Sequence, residues 1–182
     1  MSRSVTPWNR RIVAPAAKSA SSAIFIANRQ RTKKINARLL RQIVDGLFAE
    51  LKITEAELGI NLIGAKEMAK VNWQFLQHEG STDVITFSYK EPGARSQKPE
   101  VEIHGELFVC VDETVLQAKN FKTSWQSEIV RYIVHGVLHL LGHDDMKPAL
   151  RRKMKREENR LLRLLSRRFS LAQIGRVSKI RT

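Results

Sequence analysis

The sequence predicts an α/β (α+β) fold, a single domain in which a small mixed sheet of about four strands packs with helices. Two observations carry this. Short β-rich runs alternate with stretches of helical periodicity through the middle of the chain. The length of 182 residues, 42% of them apolar, suits one domain with modest tails and a real core. No self-similarity is visible at the periods of about 20–50 residues that mark repeat proteins.

The elements follow in order. Residues 24–28 (IFIAN) form a first strand. Asn36 caps a helix over 37–52, with Leu39, Leu40, Ile43, Val44, Leu47 and Phe48 on one face. Gly59 and Gly64 bracket a second strand, INLI. Residues 66–78 form a helix with Met68, Val71 and Phe75 turned inward. A turn at 80–83 leads to a strand at 84–89, then a Pro/Gly-bearing loop at 91–100. GELFVCV, at 105–111, is the next strand, and Asp112 caps a helix over 113–120. Ser124 or Thr123 caps a longer helix that runs to Leu141 and ends at Gly142. A charged helix over 149–168 closes the domain, with Leu161, Leu162, Leu164 and Leu165 as its apolar content.

Charge divides the chain into three. Residues 1–44 hold ten Lys/Arg and no acid, and residues 147–182 hold thirteen against Glu157 and Glu158. The centre, 45–146, is net −7, although the whole chain is +14. Basic ends of this kind imply a polyanionic partner, nucleic acid or an anionic membrane. Residues 1–22 are read as a disordered basic arm, 23–168 as the domain, and 169–182 as a basic tail. A transit peptide resembles the arm in composition, but Pro7 and Pro15 interrupt any helix there. No apolar run approaches the roughly 20 residues of a spanning helix, so no membrane role is expected. The lone cysteine, Cys110, excludes an internal disulfide and fits a reducing, cytoplasmic setting.

The segment VHGVLHLLGHDDM, at 134–146, carries the chemistry. His135 and His139 are four apart and share one helix face, so two imidazoles can reach one metal ion. Gly142 lets the chain turn back, and His143, Asp144 or Asp145 can then supply a third ligand. The frame H-x-x-x-H-x-x-G-x-x-D places Asp145 in the last ligand position of the metalloprotease spacing. Two imidazoles and one carboxylate leave a tetrahedral zinc an open position. The residue after the first histidine is Gly136 instead of the protease's glutamate base, which disfavours peptidase chemistry. An isolated histidine on such a helix is an ordinary core or surface residue; two at this spacing, followed by Gly and His-Asp-Asp, are not readily explained that way. His78 and His104 lack such company and are read as structural or exposed.

The same segment resembles the signature of the YbeY endoribonuclease family, H-G-x-L-H-L-x-G-x-D-H, with Asp145 replacing the last histidine. VNWQF at 71–75, TDVITF at 82–87 and GELFV at 105–109 are similar to further elements of that family, in order. The resemblance implies a zinc-dependent, single-strand-specific endoribonuclease acting in ribosomal RNA maturation, at the small-subunit 3′ end, and in ribosome quality control. It implies one zinc ion on His135, His139 and Asp145, and ribosomal or small-subunit protein partners. The family carries an Arg after the Asn-bearing helix, and the corresponding position here is Leu76. Arg131, one turn before His135, is a candidate phosphate contact, although pairing with Glu128 is the plainer role. Phe87 is similarly a base-stacking candidate or a core residue. No catalytic residue beyond the metal ligands is assigned. The competing readings are a non-catalytic assembly factor with a structural metal, and a zinc hydrolase of another class.

Overall fold

The computed structural model describes residues 21–89 and 101–176. Strand β1 (Ser21–Asn28) leads through helix α1 (Ala37–Glu50) to β2 (Ile53–Ile63). Helix α2 (Ala65–Leu76) and strand β3 (Val84–Ser88) precede β4 (Val101–Cys110). Helices α3 (Val111–Asn120), α4 (Trp125–Leu140) and α5 (Pro148–Arg168) follow, and a 3-10 turn, Leu171–Gly175, ends the described chain. The sheet order is β1-β2-β4-β3. β1, β2 and β4 are parallel, and β3 runs antiparallel along the β4 edge. This is the small mixed sheet with helices that the alternation predicts.

The main core lies between one sheet face and α1, α4 and α5. Alternation in the strands puts Leu58, Ile60 and Leu62 of β2 and Leu107 and Val109 of β4 on that face. Asn36 caps α1 as expected, its Oδ1 accepting from Leu39 N at 3.1 Å. A smaller cluster of Ile63, Met68, Ile85 and Cys110 sits under α2. No helix among the described residues is long and apolar enough to cross a membrane.

Four expectations are corrected. The second strand is not confined to INLI: β2 starts at Ile53, because ITEAELG is flanked by partners on both sides and gains two ladders of hydrogen bonds. Asp112 does not cap α3, which begins a residue earlier. Its carboxylate instead accepts from Ala65 N at 2.6 Å and from the Thr32 hydroxyl, capping α2, whose own Gly64 offers no side chain. Phe75 is not turned inward but exposed: it lies in the last turn of α2, which stops at Leu76 with Gln77 left-handed, and touches the sheet only through the edge of the Phe87 ring. Finally, the packed unit does not end at 168. Ile174 is fully buried in the main core, and its carbonyl accepts from Asn36 N at 2.8 Å. Of the arm at 1–22, residues 1–20 lie outside the described residues and Ser21 and Ser22 open β1; the loop at 91–100 and residues 177–182 of the tail at 169–182 also lie outside them.

Candidate metal centre

Helix α4 holds the two histidines because its position is fixed on every side. Ser124 caps it, with Oγ accepting from Ser127 N at 3.2 Å. Ile129, Ile133, Val134, Val137 and Leu138 are fully or almost fully buried. Gly136 faces β4 so closely that a Cβ there would lie 2.5 Å from Leu107 Cδ2. A glutamate at this position would therefore enter the core and not the metal site. That is a second, steric reason for the missing protease base.

The helix ends as the sequence predicts, with Gly142 left-handed (φ 86°). His143 N donates to Leu138 O at 3.0 Å and Gly142 N to His139 O at 2.9 Å, the paired bonds of a Schellman termination. This reversal swings Asp145 back over the histidines. Its Oδ2 lies 3.9 Å from His135 Nε2 and its Oδ1 3.9 Å from His139 Nε2. The two Nε2 atoms are 3.1 Å apart, and one ligand atom from each of the three residues falls within 4.8 Å of the others. A tetrahedral ion about 2.0–2.1 Å from each nitrogen spaces them by about 3.3 Å, so the pair has the right separation. His143 does not join them: its carbonyl faces His139 Nδ1 at 2.9 Å, and its side chain lines a groove beside α5.

The outer nitrogens decide the tautomers. A carbonyl only accepts, so His139 Nδ1 donates to His143 O. His135 Nδ1 lies 3.2 Å from Glu158 Oε2. Burial works against ionisation of Glu158, but hydrogen bonds from His135, Lys155 and Arg131 outweigh it and hold the carboxyl at about 2. An ionised carboxylate also only accepts, so His135 Nδ1 donates too. In neutral imidazoles both Nε2 atoms then carry bare lone pairs, directed together beside the Asp145 carboxylate. These three groups lie close enough together that they could hold one metal ion.

Glu158 is the residue that sequence reasoning missed. Its signal was present: a carboxylate on the apolar stripe of α5, in helical register with Met154, Leu161 and Leu165. Arg131 takes the plainer of its two roles, bonding Glu158 at 2.6 Å, Asn159 at 2.8 Å and Glu128 at 3.3 Å. The metal side opens into a cleft of about 480 Å³, lined by Tyr132, Arg151, Arg152 and Lys155 among others. Burial, with the Asp83 and Glu128 carboxylates, pushes the Tyr132 phenol well above its ordinary range and keeps it protonated. Leu76 is 46% exposed and outside this cleft. Phe87 packs edge-on between Phe75 and Phe108, centroids 4.9 and 5.6 Å away, alongside the smaller cluster. His78 and His104 are exposed, and His104 is 3.5 Å from Glu57.

Fold and site define the class first: an α/β domain presenting two histidines and an aspartate that could hold one metal ion at the mouth of a cleft lined by both basic and acidic side chains. The family described as Endoribonuclease YbeY matches residues 25–166. The Endoribonuclease YbeY of Salinibacter ruber is 33% identical over 132 residues, covering 72% of this chain and 84% of that protein. That of Chlorobium luteolum is 32% identical over 142 residues, covering 78% and 97%. That of Chlorobium phaeovibrioides is 38% identical over 102 residues, covering 56% of this chain and 64% of its own length. A Thermotoga maritima protein solved in solution shares the fold, with a TM-score of 0.60 at 20% identity over 88% of this chain and 99% of that one. The chain belongs to the YbeY endoribonuclease family.

Proposed function

We propose that this chain is a zinc-dependent endoribonuclease that hydrolyses phosphodiester bonds in single-stranded RNA. Its substrate is ribosomal RNA under maturation, at the small-subunit 3′ end and in quality control, in the cytoplasm and in contact with ribosomal partners. His135, His139 and Asp145 are its metal ligands. The observation that carries the reading is the pair of Nε2 atoms 3.1 Å apart, with the Asp145 carboxylate 3.9 Å from each. Two nitrogens and one carboxylate, open on one side, suit zinc with a free position.

A bound zinc supplies Lewis acidity and lowers the pKa of water into the neutral range. The chain's own residues do the rest. Glu158 fixes the ring of His135, and the His143 carbonyl fixes that of His139, so neither imidazole must reorient to bind. Arg151, Arg152 and Lys155 line the cleft and attract the phosphate, in place of the Arg that the family carries where Leu76 stands. Gly136 offers no proton carrier, and its packing on Leu107 argues against peptidase chemistry.

The test is zinc stoichiometry together with cleavage of a labelled single-stranded RNA, with and without chelator. One zinc per chain is expected, with cutting abolished by chelator and by His135→Ala or His139→Ala. Cleavage that survives both substitutions would overturn the reading. Zinc binding without any cutting would favour an assembly factor with a structural metal.

A further inference from the structure

The outer face of α5 carries a basic stripe. Arg152, Arg156, Arg160, Arg163 and Arg167 recur at spacings of three and four, opposite the buried Met154, Glu158, Leu161 and Leu165. The stripe extends about 22 Å at 1.5 Å per residue. Arg152, Arg156, Arg163 and Arg167 have no side-chain partner among the described residues, whereas Arg160 is tied to Glu157 at 2.8 Å and Glu50 at 2.6 Å. Like charges one turn apart destabilise a helix by a few tenths of a kcal/mol per pair, so the stripe is unfavourable in the chain alone.

The surface is also shaped. A groove of about 530 Å³ is lined by His143, Lys153, Arg156, Asn159, Arg160 and Arg163, with Glu157 the acid on its wall. A second concavity of about 470 Å³ shares Arg160 and Arg163 and continues to Arg167 and Arg168. The head of this path is His143, whose carbonyl holds His139 and which lies two residues from Asp145. A solvated face would serve solubility with its cations anywhere; here they line two joined grooves that begin at the metal loop.

We propose that this stripe is the track for the phosphates of a single RNA strand whose scissile bond lies at His135, His139 and Asp145, a proposal that rests on the endoribonuclease reading. The track is sequence-independent and electrostatic. It explains how a chain whose centre is net −7 holds a polyanion: the grip lies on α5, outside the acidic middle.

The test measures binding of a 5′-fluorescein oligouridylate to the full chain in chelator, as a function of salt. The triple variant Arg156→Gln/Arg163→Gln/Arg167→Gln is compared with Lys66→Gln/Lys70→Gln/Lys119→Gln, exposed lysines elsewhere with the same charge loss. The first triple is expected to bind on the order of tenfold more weakly, with a salt slope shallower by about 2. The second is expected to match the parent, and the Arg→Lys version of the first to stay within a few-fold of it. Equal weakening by both triples, or no weakening by the first, overturns the track. Loss of binding to phosphatidylserine vesicles by the first triple with RNA affinity intact also overturns it, in favour of a membrane surface. Because binding is read without metal, failure of the nuclease reading shows separately, as normal stripe-dependent binding with no cleavage when zinc is restored. Thermal melts confirm folding, which removal of repelling charges leaves intact.

Discussion

Helices α4 and α5 lie against each other beside the same three side chains, yet they are built in opposite ways. Of the 16 residues of α4, ten are buried; of the 21 of α5, five are. The first sits between the sheet and its neighbours and is apolar except along the face of Glu128, Arg131, His135 and His139. The second has one face on the core and the rest in water. The two histidines ride on the more deeply buried helix, with Asp145 on the loop that follows it, and the charge rides on the helix with surface to spare. Glu158 joins the two, bonding Arg131 and His135 of α4 from α5.

That junction is where the comparison breaks most easily. Glu158→Gln weakens the charge-assisted hydrogen bonds from Arg131, His135 and Lys155 and leaves Arg131 with Glu128 as its carboxylate partner, and a loss of about 3 kcal/mol in urea unfolding is expected. Zinc affinity, read by chelator competition, is expected to fall about tenfold to a hundredfold as His135 loses its orienting carboxylate. Parent-like stability and affinity together would mean that the helices are independent at the site.

A smaller effect tests the immobility of α4. Gly136→Ala forces a methyl against Leu107, and overpacking of this kind costs about 1–3 kcal/mol. Leu107→Val in the same chain is expected to recover part of that loss. An unchanged melting temperature in Gly136→Ala would show that α4 can shift on the sheet.

The smallest effect belongs to the wet side of α5. Hydrogen bonds from Arg160, against the opposing influence of burial, hold the Glu157 carboxyl below its ordinary range. A lowered carboxylate stabilises the fold above the ordinary Glu value of about 4.3, and that contribution disappears as pH falls through the lowered value. Glu157→Gln is therefore expected to destabilise by less than about 1 kcal/mol at neutral pH, with the difference vanishing in acid. A difference that persists in acid would assign the effect to packing.

Legibility in the sequence follows the same division. The cap at Asn36, the apolar face of α1, the reversal at Gly142 and the shared face of His135 and His139 were readable because each depends on residues within one or two turns. The extent of β2 was not, because ITEAELG becomes a strand only with a partner on both edges. Asp112 looked like a local cap and serves a helix 47 positions away. The choice between Asp145 and His143 as the group beside the histidines depended on a reversal whose direction no periodicity encodes.

By itself, then, the sequence determined the fold class, the placing of the two histidines and the separation of an acidic centre from basic ends, since pattern and composition fix these locally. Tertiary structure alone decided that Ile174 completes the core, that Arg131 serves Glu158, and that Glu158 sets the tautomer of His135. Each of these needs groups distant in the chain brought within hydrogen-bond or van der Waals range, and only the packed core supplies that proximity.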